Sequence, residues 1–329
     1  MAILVVGGAG YIGSHTVREL IESGKNRDIV VYDNLSYGYK QAIKDVKLIV
    51  GDLADKAKLE KVIRDYNIDS VIHFASYIQV GESMTNPVIY YRNNVCNTLN
   101  LLEIMKDNKV KYIVFSSSAA VYGEPEKIPI TEECLKNPTS VYGRTKLIVE
   151  QILSDFDNAY GIKYTALRYF NASGSHISGE LGESHNPESH LIPIILEVIL
   201  GKRKVLKIFG NDYPTKDGTC IRDYIHVSDL ARAHILALDA LKNGGESKIY
   251  NLGNGNGFSV MEVIKVVEQI TGQKVKYEFA ERRFGDTASL IASSNKIIKE
   301  LGWKQEYNSL EKIVETSWNW KKNHPDGYK

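Results

Sequence analysis

Of the 20 tyrosines in this 329-residue chain, only Tyr142 has a lysine four residues on, Lys146. On a helix that spacing puts both side chains on one face. Composition alone can produce such a pair, so its setting carries the weight. It opens a periodic segment that follows a strand-like stretch ending in Ser116, Ser117 and Ser118. The chemistry such a set serves is removal of a proton from an alcohol while hydride leaves the same carbon. A tyrosine with an ordinary pKa of ~10 would have to fall by about three units to act near neutrality, or ~4 kcal/mol. One ammonium at ~4 Å supplies a similar amount at an effective dielectric of ~20. A serine hydroxyl close by can bridge the tyrosine and its substrate and relay the proton.

A departing hydride needs an acceptor, and the N-terminus supplies a place for one. Gly7, Gly10 and Gly13 stand at G-x-x-G-x-x-G spacing, directly after the apolar run Ile3–Val6 and at the start of the periodic stretch Ile12–Ser23. Glycine there permits a sharp turn and close approach of the backbone to a pyrophosphate. The helix N-terminus then offers free N–H groups and partial positive charge. Asp33 ends the second apolar run, 20 residues after Gly13. An acid at that point accepts hydrogen bonds from ribose hydroxyls and repels a 2′-phosphate, which favours NAD over NADP. Asp52, at the end of the third run, is a candidate adenine contact.

These groups need a frame. Short apolar runs at Ile3–Val6, Ile29–Tyr32, Leu48–Val50, Ser70–His73 and Tyr112–Ser116 read as buried strands. Segments of helical period, Ile12–Ser23, Leu59–Asp65, Asn93–Lys106 and Ser140–Asn158, separate or follow them, with a further strand at Tyr164–Tyr169. The alternation predicts an α/β protein: a Rossmann-type, doubly wound parallel sheet whose strand ends face the ligand crevice. After about Asn171 the texture changes. Ser173 to Ser189 is rich in Gly, Ser, His, Pro and Asn and reads as loop; helical and strand-like pieces then mix at Leu191–Leu200, Leu206–Phe209, Val260–Ile270, Val275–Phe279 and Leu310–Lys321. The expected division is an NAD-binding domain over 1–172, with 224–252 returning to it, and a smaller mixed α/β substrate lobe over 173–329.

Bulk properties exclude several classes. With 41 Lys and Arg against 40 Asp and Glu, the net charge of +1 leaves no footprint for nucleic acid or an anionic membrane. No apolar run approaches the ~20 residues of a membrane span, and the start lacks the basic segment of a signal peptide. Cys96, Cys134 and Cys220 are odd in number and show no metal spacing, so they read as free thiols of a cytoplasmic protein. The eight histidines form no H-E-x-x-H or similar set, and no metal is expected.

GGAGYIGSH, Asp33-Asn34-Leu35, Gly51-Asp52-Leu53, His73-Phe74-Ala75, FSSSAAVYG and Tyr142-Gly-Arg-Thr-Lys146 resemble the extended short-chain dehydrogenase/reductase family. VGES at Val80–Ser83, NNV at Asn93–Val95, LRYFN at Leu167–Asn171, IFGNDYPTKDGTCIRDYIHV at Ile208–Val227, YNLGNG at Tyr250–Gly255, RRFGD at Arg282–Asp286 and the closing HPDGY narrow the resemblance to its UDP-glucose 4-epimerase branch, from residue 1 to 329. That resemblance implies an NAD-dependent isomerase of UDP-glucose and UDP-galactose, active as a homodimer. It implies Tyr142 as base, Ser118 as its hydroxyl partner, and Lys146 on the nicotinamide ribose. Tyr11, Ile12, Asp33, Asn34, Leu35, Asp52, Leu53, Phe74, Ala75, Asn93, Ser116 and Phe170 would line the NAD site with the loop glycines. Asn171, Leu191, Ile208, Phe209, Arg222, Arg283, Asp286 and Leu290 would contact the UDP-sugar, the two arginines at the diphosphate, where guanidinium forks suit phosphate geometry.

Two positions depart from the branch. Tyr77-Ile78 stands where many members carry a lysine that reaches the cofactor, and His190-Leu191 where others often carry Asn-Leu. Related dehydratases and decarboxylases usually place an acid after the serine run. Ala119 and Ala120 have no proton to give, which argues against elimination. Leucine at 290 is of intermediate bulk, so UDP-N-acetylhexosamine or UDP-pentose 4-epimerisation stays open as an alternative. A non-catalytic NAD-sensing protein on the same scaffold is opposed by the intact Ser118, Tyr142 and Lys146 set.

Overall fold

The computed structural model describes residues 2–25, 27–283 and 286–328, so Phe284 and Gly285 of the Arg282–Asp286 motif lie outside the described residues. The chain begins β1 (Ala2–Val6), α1 (Tyr11–Glu22), β2 (Asp28–Asp33), β3 (Lys47–Val50), α2 (Lys56–Asp65) and β4 (Ile68–His73). It continues with α3 (Val80–Thr85), α4 (Pro87–Tyr90), α5 (Asn97–Asp107), β5 (Tyr112–Ser118), α6 (Val141–Tyr160) and β6 (Lys163–Tyr169). The remainder runs β7 (Asn171–Ser173), α7 (Leu191–Ile199), β8 (Leu206–Phe209), β9 (Ile221–His226), α8 (Val227–Lys242) and β10 (Lys248–Leu252). Last come β11 (Gly257–Ser259), α9 (Val260–Thr271), β12 (Tyr277–Ala280), β13 (Ser289–Leu290), α10 (Asn295–Leu301) and α11 (Leu310–Asn323).

Strands with every residue buried, such as AILVV in β1, can only sit inside a sheet covered on both faces. They form one seven-stranded parallel sheet in the order β10-β6-β5-β4-β1-β2-β3. One face is closed by apolar residues of α2, α5 and α6, such as Leu59, Leu101, Met105 and Leu153. The other is closed by α1 and α8 through Val17, Leu20, Leu230 and Leu241, with Trp303 behind them. The chain winds outward from β1 to β3 and then returns to β4 on the other side of β1. That reversal leaves a crevice at the carboxyl ends of β1 and β4, where open α/β sheets bind ligands.

Beyond β6 the chain builds a second layer on the crevice. β9 is its central strand, paired with β11 antiparallel and with β7 and β13 parallel; β8 and β12 pair separately. Behind them α7, α9 and α11 pack through Ile195, Val263 and Ile313. The periodicity of the sequence placed the first six strands and most of the long helices, but it left α8 unassigned. It missed β9 and β10, whose few residues mix apolar with charged or polar ones: Arg222, Asp223 and His226 in the first, Lys248 and Asn251 in the second. It also read one helix over Asn93–Lys106, whereas the structure has a π-helical stretch at Tyr91–Cys96 leading into α5. That wider turn lets adjacent asparagines do different work. Asn93 lines the crevice, while Asn94 brackets the backbone of Tyr77, accepting from its N–H at 2.8 Å and donating to its carbonyl at 3.0 Å. Among the described residues no helix is long and apolar enough to cross a membrane.

One buried ion pair ties α6 to the sheet. The Arg168 and Glu150 side chains are 2% and 3% exposed, and Arg168 donates to both carboxylate oxygens, Nε at 2.9 Å and Nη2 at 2.5 Å. Ser117 Oγ donates to the same carboxylate at 2.5 Å, and Arg168 Nη1 donates to the Tyr122 hydroxyl at 2.8 Å. Deleting one partner strands the other charge without water. Arg168→Met is therefore expected to cost about 3–5 kcal/mol in urea unfolding, and the double change Arg168→Met with Glu150→Leu to recover most of it.

Candidate active site

The crevice holds two adjoining cavities that share Gly7, Gly10, Phe74 and Tyr77 as walls, one of about 110 Å³ and one of about 310 Å³. Asp33, Asn34, Asp52, Leu53, Ala75 and Asn93 line the smaller; Tyr11, Ile12, Gly13, Ser116, Ser118, Tyr142, Lys146, Phe170 and Asn171 line the larger. The structure thus brings together nearly all the residues the sequence proposes for a dinucleotide. Leu35 is the exception: it lines neither cavity, and its N–H donates to Asp33 Oδ1 at 2.8 Å.

The loop itself separates what folding needs from what a ligand needs. A Cβ on Gly13 would sit 2.3 Å from the Gly7 carbonyl oxygen, so this glycine lets the helix pack on the loop. A Cβ on Gly10 would meet only that oxygen, at 3.4 Å, an ordinary contact. Its side-chain space opens into the crevice, at the N-terminus of α1, which no side chain caps. An uncapped helix start beside an open glycine fits the pyrophosphate of a dinucleotide. Asp33 is held at the rim by the Ala9 N–H, which donates to Oδ2 at 2.9 Å, leaving lone pairs on both oxygens for ribose hydroxyls.

At the far end, Ser140 caps α6 by accepting from the Gly143 N–H at 3.0 Å, and Ser83 Oγ accepts from the Tyr142 N–H at 3.1 Å. Both fix the first turn that carries Tyr142. Lys146, one turn on, donates from Nζ to the Ser116 carbonyl at 2.8 Å and lies 5.7 Å from the centre of the Tyr142 ring. Here the electrostatics differ from the sequence estimate, which weighed an ammonium against a solvated phenol. Burial raises the Tyr142 pKa, and only the hydroxyl of Ser118 draws it back. Burial likewise lowers Lys146 to about 7, against the pull of Glu150. Burial thus works against the charged form of each. The Ser116 hydroxyl meets Tyr169, a neighbour the sequence reading missed. Glu150 was also missed, although Tyr142, Lys146 and Glu150 recur every four residues on one helix face.

Of the proposed sugar-nucleotide contacts, Ser118, Tyr142 and Asn171 face the larger cavity. The others gather on the second layer, outside both cavities. Arg222 Nη2 donates to Asp286 at 3.2 Å, Arg283 lies 3.9 Å over the Phe209 ring, and Leu290 pairs in register with Arg222. Leu191 packs on the α7 cluster and the Ile208 side chain is buried in it. Ile78 leaves the position of the usual lysine apolar on the cavity wall.

The NAD dependent epimerase/dehydratase family matches residues 3–253. The UDP-glucose 4-epimerase of Halalkalibacterium halodurans is 54% identical over 328 residues, covering 100% of this chain and 98% of that protein. The crystal structure of UDP-glucose 4-epimerase from Brucella ovis in complex with NAD superposes with a TM-score of 0.94 at 47% identity, over 96% of this chain and 97% of that one. The Bifidobacterium longum enzyme in complex with NAD+ and UDP gives 0.94 at 43% identity, over 99% and 100%.

Gly10→Ala is expected to leave the unfolding midpoint of the dinucleotide-free protein near wild type while weakening NAD retention at least about tenfold; Gly13→Ala should lower the midpoint itself. Absorbance of bound dinucleotide and thermal melts separate the two. Lys146 carries a pH signature. Its folded pKa of about 7 lies below the ~10.4 of an unfolded lysine, so it subtracts stability at and below neutrality, and the penalty fades as pH climbs from about 7 to 10. Relative to wild type, dinucleotide-free Lys146→Met should gain stability at pH 6 and lose that gain by pH 10 in denaturant titrations.

Proposed function

The chain belongs to the NAD dependent epimerase/dehydratase family, and from that membership we propose that it inverts C4 of a UDP-hexose, interconverting UDP-glucose and UDP-galactose. The observation that carries this reading is the shared cavity: Ser118, Tyr142 and Lys146 line the same space that opens onto the glycine loop. The turn after the serine run, Ala119–Val121, has no ionisable group to drive elimination. The full-length likeness to UDP-glucose 4-epimerases supports the hexose over other sugars.

The glycine loop and Asp33 would hold NAD along the crevice, where it would supply reversible hydride transfer at the sugar carbon. The chain's own residues do the rest. Tyr142, through Ser118, takes the proton of the 4-hydroxyl as the carbon becomes a ketone, and returns it after the 4-keto sugar has presented its other face. Lys146 holds the nicotinamide ribose, and its charge together with that of the oxidised ring works against the burial that raises the tyrosine. Arg222 and Arg283 anchor the diphosphate, so that binding energy comes from UDP while the hexose stays free to turn. Their present partners, Asp286 and the Phe209 ring, keep both guanidinium groups oriented on the second layer. The NAD-binding unit is then 1–172 with 224–252, supported by the packing of α8 and β10 on the large sheet, and the sugar lobe is the rest. A homodimer in the cytoplasm completes the reading, in keeping with three unpaired cysteines.

Purified protein is expected to interconvert UDP-glucose and UDP-galactose with no added reductant. Tyr142→Phe should cut turnover by about 10²–10⁴ with NAD still bound. Consumption of one added NAD+ per turnover with build-up of NADH would refute the epimerase reading.

A further inference from the structure

The 17 residues between β7 and α7 form no strand or helix, yet they wall the larger cavity. Within them Glu183, His185, Glu188 and His190 converge, each with a ligand-type atom, all four atoms within 4.8 Å of one another. His185 Nδ1 lies 3.2 Å from Glu183 Oε1 and 3.6 Å from Glu188 Oε1, and His190 Nδ1 lies 3.9 Å from Glu188 Oε1 and closer still to Glu183. Four donors about 2.0 Å from a tetrahedral ion stand about 3.3 Å apart. The spacing of these atoms is near that of such a shell.

Two further observations point into the cluster. The carboxylates of Glu183 and Glu188 are 5% and 3% exposed, and two anions so close and so dry need positive charge beside them, which either the two histidines as imidazoliums or one divalent cation held by neutral imidazoles can supply. His185 Nδ1 is directed at both carboxylates at once, 3.2 Å from one and 3.6 Å from the other. The backbone N–H groups of Ser189 and His190 donate to Glu188 Oε1 at 2.8 and 3.0 Å, orienting that carboxylate as outer contacts orient metal ligands.

We propose that Glu183, His185, Glu188 and His190 hold one divalent transition-metal ion, zinc by the chemistry of two imidazoles and two carboxylates, as a structural clip on the wall of the sugar pocket. Four protein donors close the shell, so the ion stabilises the loop and leaves the chemistry to Tyr142. The clip also reaches the dinucleotide side. The His185 ring meets Tyr11 edge to face at 6.2 Å, and Tyr11 donates to the Gly174 carbonyl at 2.6 Å. The E-x-H-x-x-E-x-H order lies on irregular chain, so no helical spacing announces it.

The test uses untagged full-length protein, purified without chelator and passed through gel filtration. Elemental mass spectrometry should find about one zinc per chain, and chelation should lower the thermal midpoint. Cobalt(II) added to the stripped protein should give the visible absorption of a tetrahedral site. His190→Gln, at the more exposed ligand, should stay folded with NAD bound, lose the cobalt band and weaken zinc retention at least about tenfold. His185→Gln should do the same if it folds. No zinc above the level of His190→Gln, together with no cobalt band in the wild type, overturns the proposal, while the epimerase reading is tested separately by wild-type turnover.

Discussion

Glu150 places a carboxylate in a region almost without solvent, and the wall of the active site is arranged around its neutralisation. Arg168 comes from β6, Ser117 from β5, and Glu150 from α6, so satisfying one charge joins three elements at one point. The chain of contacts runs on from Arg168 to the Tyr122 hydroxyl and from there to Asn251 on β10 at 2.7 Å. Asn251 in turn donates from its side chain to the Ile130 carbonyl at 3.0 Å. A buried pair of this kind stabilises little by itself. What it does is remove alternatives, since any slip of α6 along the sheet would leave a charge unpaired.

That constraint explains how a tyrosine and a lysine reach working positions in a dry site. Lys146 sits one turn before Glu150, and the carboxylate is the favourable charge opposing its loss of the proton. Tyr142 sits one turn before Lys146, against Ser118 at the end of the neighbouring strand. Burial, felt by both, disfavours the phenolate and the ammonium alike. In the proposed mechanism a cationic nicotinamide in the crevice would favour the phenolate, which would couple the proton step to the oxidised state of the cofactor.

The crevice follows from the same economy of elements. Winding out from β1 and back to β4 opens it, the glycine loop lines its floor, and the second layer on β9 covers its far end. Asp223 on β9 accepts from the backbone N–H groups of Asn254, Gly255 and Ala292, which binds the covering layer together from within. The two proposed diphosphate arginines belong to this layer and stand apart from the cavity that holds Tyr142. In the proposed reading, cofactor chemistry and nucleotide anchoring fall to different parts of the chain.

The sequence alone determined what depends on neighbours along the chain. Apolar runs such as AILVV specify buried parallel strands, the glycine spacing specifies the loop, and Tyr142 with Lys146 declares a shared helix face, because each is a pattern of period or of steric necessity. Strands with charged residues, such as Ile221–His226, escaped it, because their burial rests on partners elsewhere: backbone groups for Asp223 and a carboxylate for Arg222. Tertiary structure alone decided that Arg168 meets Glu150, that Glu183 and Glu188 meet two histidines, and that Tyr142 and Lys146 are dry enough to resist their charges. Desolvation and charge pairing are properties of a place in three dimensions. Residue type and spacing nominate the groups, and the packing around them sets their protonation.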